Sequence, residues 1–237
     1  RFKAVSYRIS CNDNIHKPRD AMISAERFKN RKEAGLRLAE LLQDYKGRDD
    51  LVVLGLPRGG VPVALEVARA LQAPLDVYIV RKLGTPGQEE LAMGAIASDG
   101  ARILNRHVVN SVGISENEIE RIAEREKDEI ARREKKYRGD RDRVPLKDKV
   151  VILVDDGLAT GASMKAAIKA VHASEPKEVV VAVGTAPRET VAEFEELEDV
   201  DRVIAALIPG MFFGVGGSYE DFSQTTDEEV RECLGGD

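Results

Sequence analysis

The chain has 237 residues, 43% apolar and 33% charged, with a formal net charge of −6, no tryptophan and only two cysteines, Cys11 and Cys233, near opposite ends. This suits one soluble α/β domain with or without an appendage, and it argues against non-specific nucleic-acid binding, a disulfide framework and a cysteine-based metal cluster. No apolar run approaches the ~20 residues of a bilayer span and the start lacks a signal-peptide core, so the expectation is a cytoplasmic protein with no DNA or membrane partner.

Residues 1–24 mix charge, Asn, His and Pro without periodicity and read as an N-terminal extension, leaving 25–237 as the domain. Phe28, Ala34, Leu38, Leu41, Leu42 and Tyr45 share helical spacing, which predicts a covering helix stopped at Lys46-Gly47. An apolar strand over 51–56 then meets Pro57-Arg58-Gly59-Gly60, before a helix over 61–71. Two glycines let the backbone approach an anion closely while the arginine faces it with a fixed charge.

A second strand is predicted over 75–80, ending in Arg81-Lys82 and followed by the breaker-rich LGTPGQEE. Two short strands are predicted around the Asp99-Gly100 turn. Residues 116–138 form a long charged helix with a thin apolar stripe, expected to lie solvated against the domain's side, with a dimer contact as the alternative.

Val150 to Ser163, VVILVDDGLATGAS, carries the chemistry. Its apolar run suits a strand buried on both faces of a parallel sheet, and Asp155 and Asp156 fall at the carboxyl end, where such sheets bind ligands. Beyond them Ala159, Thr160, Gly161, Ala162 and Ser163 can aim backbone N–H groups and two hydroxyls at one spot ahead of a helix N-terminus, which suits phosphate. The carboxylates can accept from vicinal hydroxyls or hold water on a divalent metal, so the pair of features matches a sugar phosphate. A helix from Met164, a strand over 178–183, a helix over 188–197 and a strand over 200–208 complete a doubly wound, mainly parallel sheet. No GxGxxG follows a strand and no GxxxxGK[ST] occurs, which disfavours dinucleotide and P-loop readings. Gly210 to Thr226 is rich in glycine and aromatics and could stack on a flat base or pack its Phe residues inward; a closing helix is expected over 227–234. His16, His107 and His172 show no metal spacing.

VVILVDDGLATGAS resembles the 5-phosphoribosyl-1-pyrophosphate (PRPP) motif of type I phosphoribosyltransferases, with Gly157 standing where many members carry an aliphatic residue. PRGG resembles the family's pyrophosphate loop, at which a strained or cis non-proline peptide is expected, placed at Arg58-Gly59. Phe213-Gly214-Val215-Gly216 followed by Asp221-Phe222 is similar to the base-recognition segment of 6-oxopurine members, with one extra residue before the aspartate. The resemblance implies the family's α/β sheet with a small hood or cap and a long charged helix insertion. It implies displacement of pyrophosphate from PRPP by a nitrogen acceptor, a purine-like nucleobase among the candidates, with Mg²⁺ as cofactor, and it allows a homodimer. Asp155 and Asp156 would hold the ribose hydroxyls and, through water, the metal. The 159–163 loop would take the 5-phosphate, Arg58, Gly59, Gly60, Arg81 and Lys82 the pyrophosphate, and Phe213, Val215 and Asp221 the base. A PRPP-binding regulator without turnover and a sugar-phosphate phosphohydrolase are the alternatives.

Overall fold

The computed structural model describes residues 27–98 and 100–235. The predicted extension over 1–24, with Cys11 and His16, and Asp99 of the predicted turn lie outside the described residues.

Strands β1 (Leu51–Gly55), β2 (Leu75–Val77), β6 (Val150–Gly157), β7 (Glu178–Thr185) and β8 (Arg202–Leu207) form one parallel sheet in the order β2-β1-β6-β7-β8. Alternate side chains of the central strands feed two opposite cores. Val52, Leu54, Val151, Leu153 and Val181 pack with α5 (Ala162–His172) and α6 (Arg188–Glu195). Leu51, Val53, Val150, Ile152 and Val180 pack with α1 (Arg31–Leu41) and α2 (Gly60–Leu71). Burial on both faces is why these strands are apolar throughout rather than alternating. From β1 the chain moves to β2 on one side, and later enters β6 on the other. The topological switch therefore lies between β1 and β6, which pair in register from Leu51↔Val150 to Gly55↔Val154. Ligand crevices in open α/β sheets form outside the carboxyl ends at such a point.

The covering helix starts later than its apolar spacing predicts. Asn30 accepts the Glu33 amide (3.1 Å) as the α1 N-cap, so Phe28 lies before the helix, in a parallel bridge with Tyr219. Leu41 is exposed, and Tyr45 belongs to a separate 3₁₀ turn over Gln43–Tyr45.

The single strand predicted over 75–80 is two. β2 stops at Val77, and β3 (Val80–Thr85) begins a separate antiparallel sheet with β4 (Gln88–Ala97) and β5 (Arg102–Leu104). Of the breaker-rich stretch only Pro86-Gly87 connects β3 and β4, the rest lying within the two strands; the predicted hairpin around 99–100 is the β4–β5 pair. Against this sheet pack α3 (Arg106–Val112), α4 (Glu116–Arg138) and α7 (Asp227–Cys233), through Leu83, Met93, Ile96, Val109, Ile119, Ile122, Ile130 and Val230.

Helix α4 opens on a Ser115/Glu118 capping box, and it is less solvated than its charge suggests: Glu126, Glu134 and Arg138 are buried beside its apolar stripe. Arg138 donates to Asp76 (3.0 and 3.2 Å) and to Glu134 (2.9 Å), while Arg143 also donates to Glu134 (2.9 and 2.5 Å). Such a group fastens α4 to β2 and carries a steep penalty if one partner is removed. Among the described residues no helix is long and apolar enough to cross a membrane.

Candidate functional site

The PRGG turn leaves β1, and the two aspartates close β6, so neighbouring strands deliver both motifs to the switch point. Contact between them is very close. A Cβ on Gly59 would stand 2.0 Å from Asp156 Oδ2, and one on Gly60 would stand 2.6 Å from the Val154 carbonyl and 3.1 Å from Asp155 Oδ1. Only glycine permits this approach. The cis peptide of the turn is Pro57-Arg58, one bond before the expected Arg58-Gly59.

Asp155 Oδ1 accepts the Asp156 amide (2.8 Å). Burial first, and then the neighbouring Asp156 charge, push the Asp155 carboxyl well above its ordinary range, with Arg31 pulling the other way. Asp156 is held from two sides. Arg31 Nε donates to its Oδ2 (2.9 Å), and the Tyr219 hydroxyl donates to its backbone carbonyl (2.5 Å). Arg31 also donates to the Ser223 carbonyl (2.7 Å) and lies 4.1 Å over the Phe222 ring, which stacks on Tyr219. The resulting cavity of about 330 Å³ is lined by Arg31, Arg58, Gly59, Asp156, Phe222, Gln224 and Thr225. Its wall is built from both chain ends of the described fold.

After β6, the Leu158 amide donates to the Thr185 carbonyl (2.8 Å), and Thr190 donates to the Ala159 carbonyl (3.1 Å), which anchors the loop. Ala159, Thr160, Ala162 and Ser163 stay exposed. Gly161, at φ +67°, is the α5 N-cap, and no side chain caps this helix. Its positive end and the two hydroxyls are thus presented outward, an arrangement suited to a dianion. Gly157, where the resembled family often carries an aliphatic residue, is not part of the turn. It is the last residue of β6, paired with Thr185, and a Cβ there would meet Val215 at 2.6 Å.

Arg81 and Lys82 are placed apart. Both lie inside β3, so consecutive side chains face opposite sides of the sheet. Arg81 turns to α4, donating to the buried Glu126 (2.8 Å), while Lys82 pairs with Glu90 at 3.4 Å. Lys82 does border a cavity of about 690 Å³ with Ala162, Ser163 and Lys165, between the antiparallel sheet and α5; Arg58 and Gly59 are not part of its wall. The two cations therefore do not converge on the PRGG turn.

The predicted base-recognition residues are also separated. Phe213 is 79% exposed, whereas Val215 packs at the edge of the Phe28–Tyr219 cluster. Asp221 closes a local turn on the Ser223 amide (3.0 Å), which lowers its carboxyl pKa. None of the three lines the 330 Å³ cavity.

Residues 25–204 match the phosphoribosyl transferase domain family. The chain belongs to that family. It is 46% identical over 207 residues to a Mycobacterium tuberculosis protein provisionally named as a phosphoribosyl transferase, covering 87% of this chain and 46% of that protein. The chain thus spans about half the length of the curated relatives it matches first. Bifunctional protein PyrR of Clostridium acetobutylicum is 29% identical over 145 residues, covering 61% of this chain and 62% of its own. Among solved structures, TT1426 from Thermus thermophilus superposes with a TM-score of 0.77 at 43% identity, covering 88% of this chain and 97% of its own.

At the Asp156 cavity, sequence reasoning missed Arg31, Tyr219, Gln224 and Thr225, and it placed Phe222 in a base-recognition segment rather than beside Arg31. These residues lie on two stretches, FKNRKEAG from Phe28 and YEDFSQTTDEEV from Tyr219. Periodicity could not show that these stretches, nearly 200 residues apart in the chain, meet at Asp156.

Proposed function

We propose that this phosphoribosyl transferase domain moves the 5-phosphoribosyl group of PRPP to a nitrogen acceptor, a purine-like nucleobase, with release of pyrophosphate. The observation that carries this reading is the contact between the PRGG turn and Asp156 at the switch point, with the uncapped α5 N-terminus following the same strand. Departure of pyrophosphate leaves positive charge on the ribose ring, so fixed negative charge and positioning are the effective stabilisers. Asp155 and Asp156 accept from the ribose hydroxyls and favour that charge. The elevated Asp155 pKa means that the pair keeps a proton readily when empty, and a cationic ring favours its ionised form. Thr160, Ser163 and the loop amides take the 5-phosphate, while Arg58 and the Gly59 and Gly60 amides neutralise pyrophosphate. Phe213, uncovered at the edge of the site's last segment, offers a stacking face for the acceptor.

Among the described residues no three or more His, Cys, Asp or Glu side chains group as a metal cage. Two carboxylates, one already bound to Arg31, fit water-mediated contact with a magnesium ion carried mostly on ligand oxygens. When bound there, Mg²⁺ supplies neutralisation of the pyrophosphate oxygens. A second reading, a PRPP-binding regulator without turnover, is favoured by the Arg31–Asp156 ion pair, which closes the carboxylate that a sugar would engage.

Calorimetric titration of PRPP with and without Mg²⁺, using Asp155→Asn/Asp156→Asn as control, tests the site. Saturable binding lost in the control is expected, followed by pyrophosphate release only with an added nucleobase. Binding without release for any nucleobase would establish the regulator instead, release without an acceptor would indicate hydrolysis, and no binding at millimolar PRPP overturns all three.

A further inference from the structure

A further cavity, of about 200 Å³, lies beyond the PRGG turn and is lined by Arg58, Arg132, Arg133, Lys136, Tyr137 and Asp227. Arg132, Arg133 and Lys136 come from one turn of α4, and Asp227 is the first residue of α7. Four cations therefore face one acid. Asp227 accepts from Lys136 (2.7 Å) and from the buried Tyr137 hydroxyl (2.6 Å), with Arg58 farther off at 3.9 Å. Arg132 and Arg133 share a single carboxylate, Glu129, outside the cavity wall (2.8 and 2.7 Å). Counting both acids leaves a net of two positive charges in one pocket of a chain whose overall charge is −6. The first half of α4 is mostly acidic, from Glu116 to Glu129, so the cations of the helix concentrate in its last two turns, beside Arg58.

We propose that this cavity is a second anion site, which takes the short polyphosphate of a small-molecule ligand separate from the sugar phosphate. Two guanidinium forks and an ammonium suit several phosphate oxygens at once. Tyr137 stays protonated because burial and Asp227 push its hydroxyl up to about 12, and its one proton goes to Asp227, so the ligand is met by the cations. Arg58 borders both this cavity and the one containing Asp156, so a ligand here shares a cation with the PRGG turn. That coupling rests on reading the turn as the pyrophosphate site; the anion site itself does not.

The test is calorimetric titration of inorganic tripolyphosphate, without metal, into the full chain. Saturable binding is expected, weakened by about tenfold or more in Arg132→Ala/Arg133→Ala through loss of charge-assisted hydrogen bonds. Asp227→Asn removes the competing charge and should tighten binding about threefold or more, a gain that misfolding cannot produce. Ser163→Ala, in the 5-phosphate loop, should leave it within about twofold. Absence of saturation, indifference to the α4 substitutions, failure of Asp227→Asn to tighten binding, or loss in Ser163→Ala would each overturn the proposal. PRPP binding depends on Asp155 and Asp156, so the two readings fail separately.

Discussion

The five-stranded parallel sheet and the antiparallel sheet with α4 hold together by different means. In the parallel sheet β1, β6 and β7 each bury a continuous apolar run, and the acidic pair Asp155 and Asp156 enters only at the carboxyl end of β6, with Arg58 in the turn after β1. Around α4 the polar groups enter the interior itself: Arg138, Glu134, Asp76 and Glu126 are all buried and paired. Hydrophobic burial is non-directional and tolerates local adjustment, whereas a buried ion pair demands each partner. The site accordingly sits on the rigid apolar sheet, and the ion-paired side flanks it.

The sharpest way to break this contrast is Arg138→Ala, which leaves Asp76 and Glu134 buried with fewer partners. It should cost about 3–5 kcal/mol, read as a fall in Tm of roughly 10 °C, while PRPP affinity measured well below Tm is unchanged. A loss under about 1 kcal/mol would show that the network behaves as a surface cluster. Next is Gly59→Ala, whose Cβ collides with Asp156 Oδ2. About 1–3 kcal/mol of overpacking strain is expected, together with a fall in PRPP affinity on the order of tenfold, as Asp156 and Arg31 are displaced.

Asp155→Asn should act in the opposite direction on stability. Because the folded pKa of Asp155 is raised, its stabilising proton is fully present below the unfolded carboxylate value and is lost as pH rises through the folded value. The amide has no such loss and can still accept the Asp156 N–H. The variant should therefore melt about 3 °C above the parent at pH 7, with the difference vanishing near pH 4, while turnover falls. Equal melting at both pH values would remove the raised pKa from the account. Smallest is Tyr219→Phe, which deletes the bond to the Asp156 carbonyl. A loss of about 1 kcal/mol is expected in denaturant unfolding, with PRPP affinity reduced only slightly.

The parallel sheet was readable because β1, β6 and β7 carry continuous apolar runs, and its motifs, VVILVDDGLATGAS and PRGG, are contiguous stretches whose order alone carries meaning. The antiparallel side was misread where continuity misleads. Residues 75–80 look like one strand, yet Val77 and Val80 belong to different sheets, and Arg81 and Lys82 look like a pair although the pleat sends them apart. The charged face of α4 likewise conceals Glu126, Glu134 and Arg138, whose partners lie on other elements.

By itself the amino-acid sequence determined the α/β class, the strand-turn-helix at each motif and the acidic pair followed by its glycine-containing loop, because local periodicity, glycine placement and helix N-termini are short-range properties. Tertiary structure alone decided that Arg31 reaches Asp156, that Tyr219 and Phe222 buttress that pair, and that Arg58 stands between two cavities. Those contacts join residues far apart in the chain, and packing of the sheet and its flanking helices, not any local preference, brings them within bonding distance.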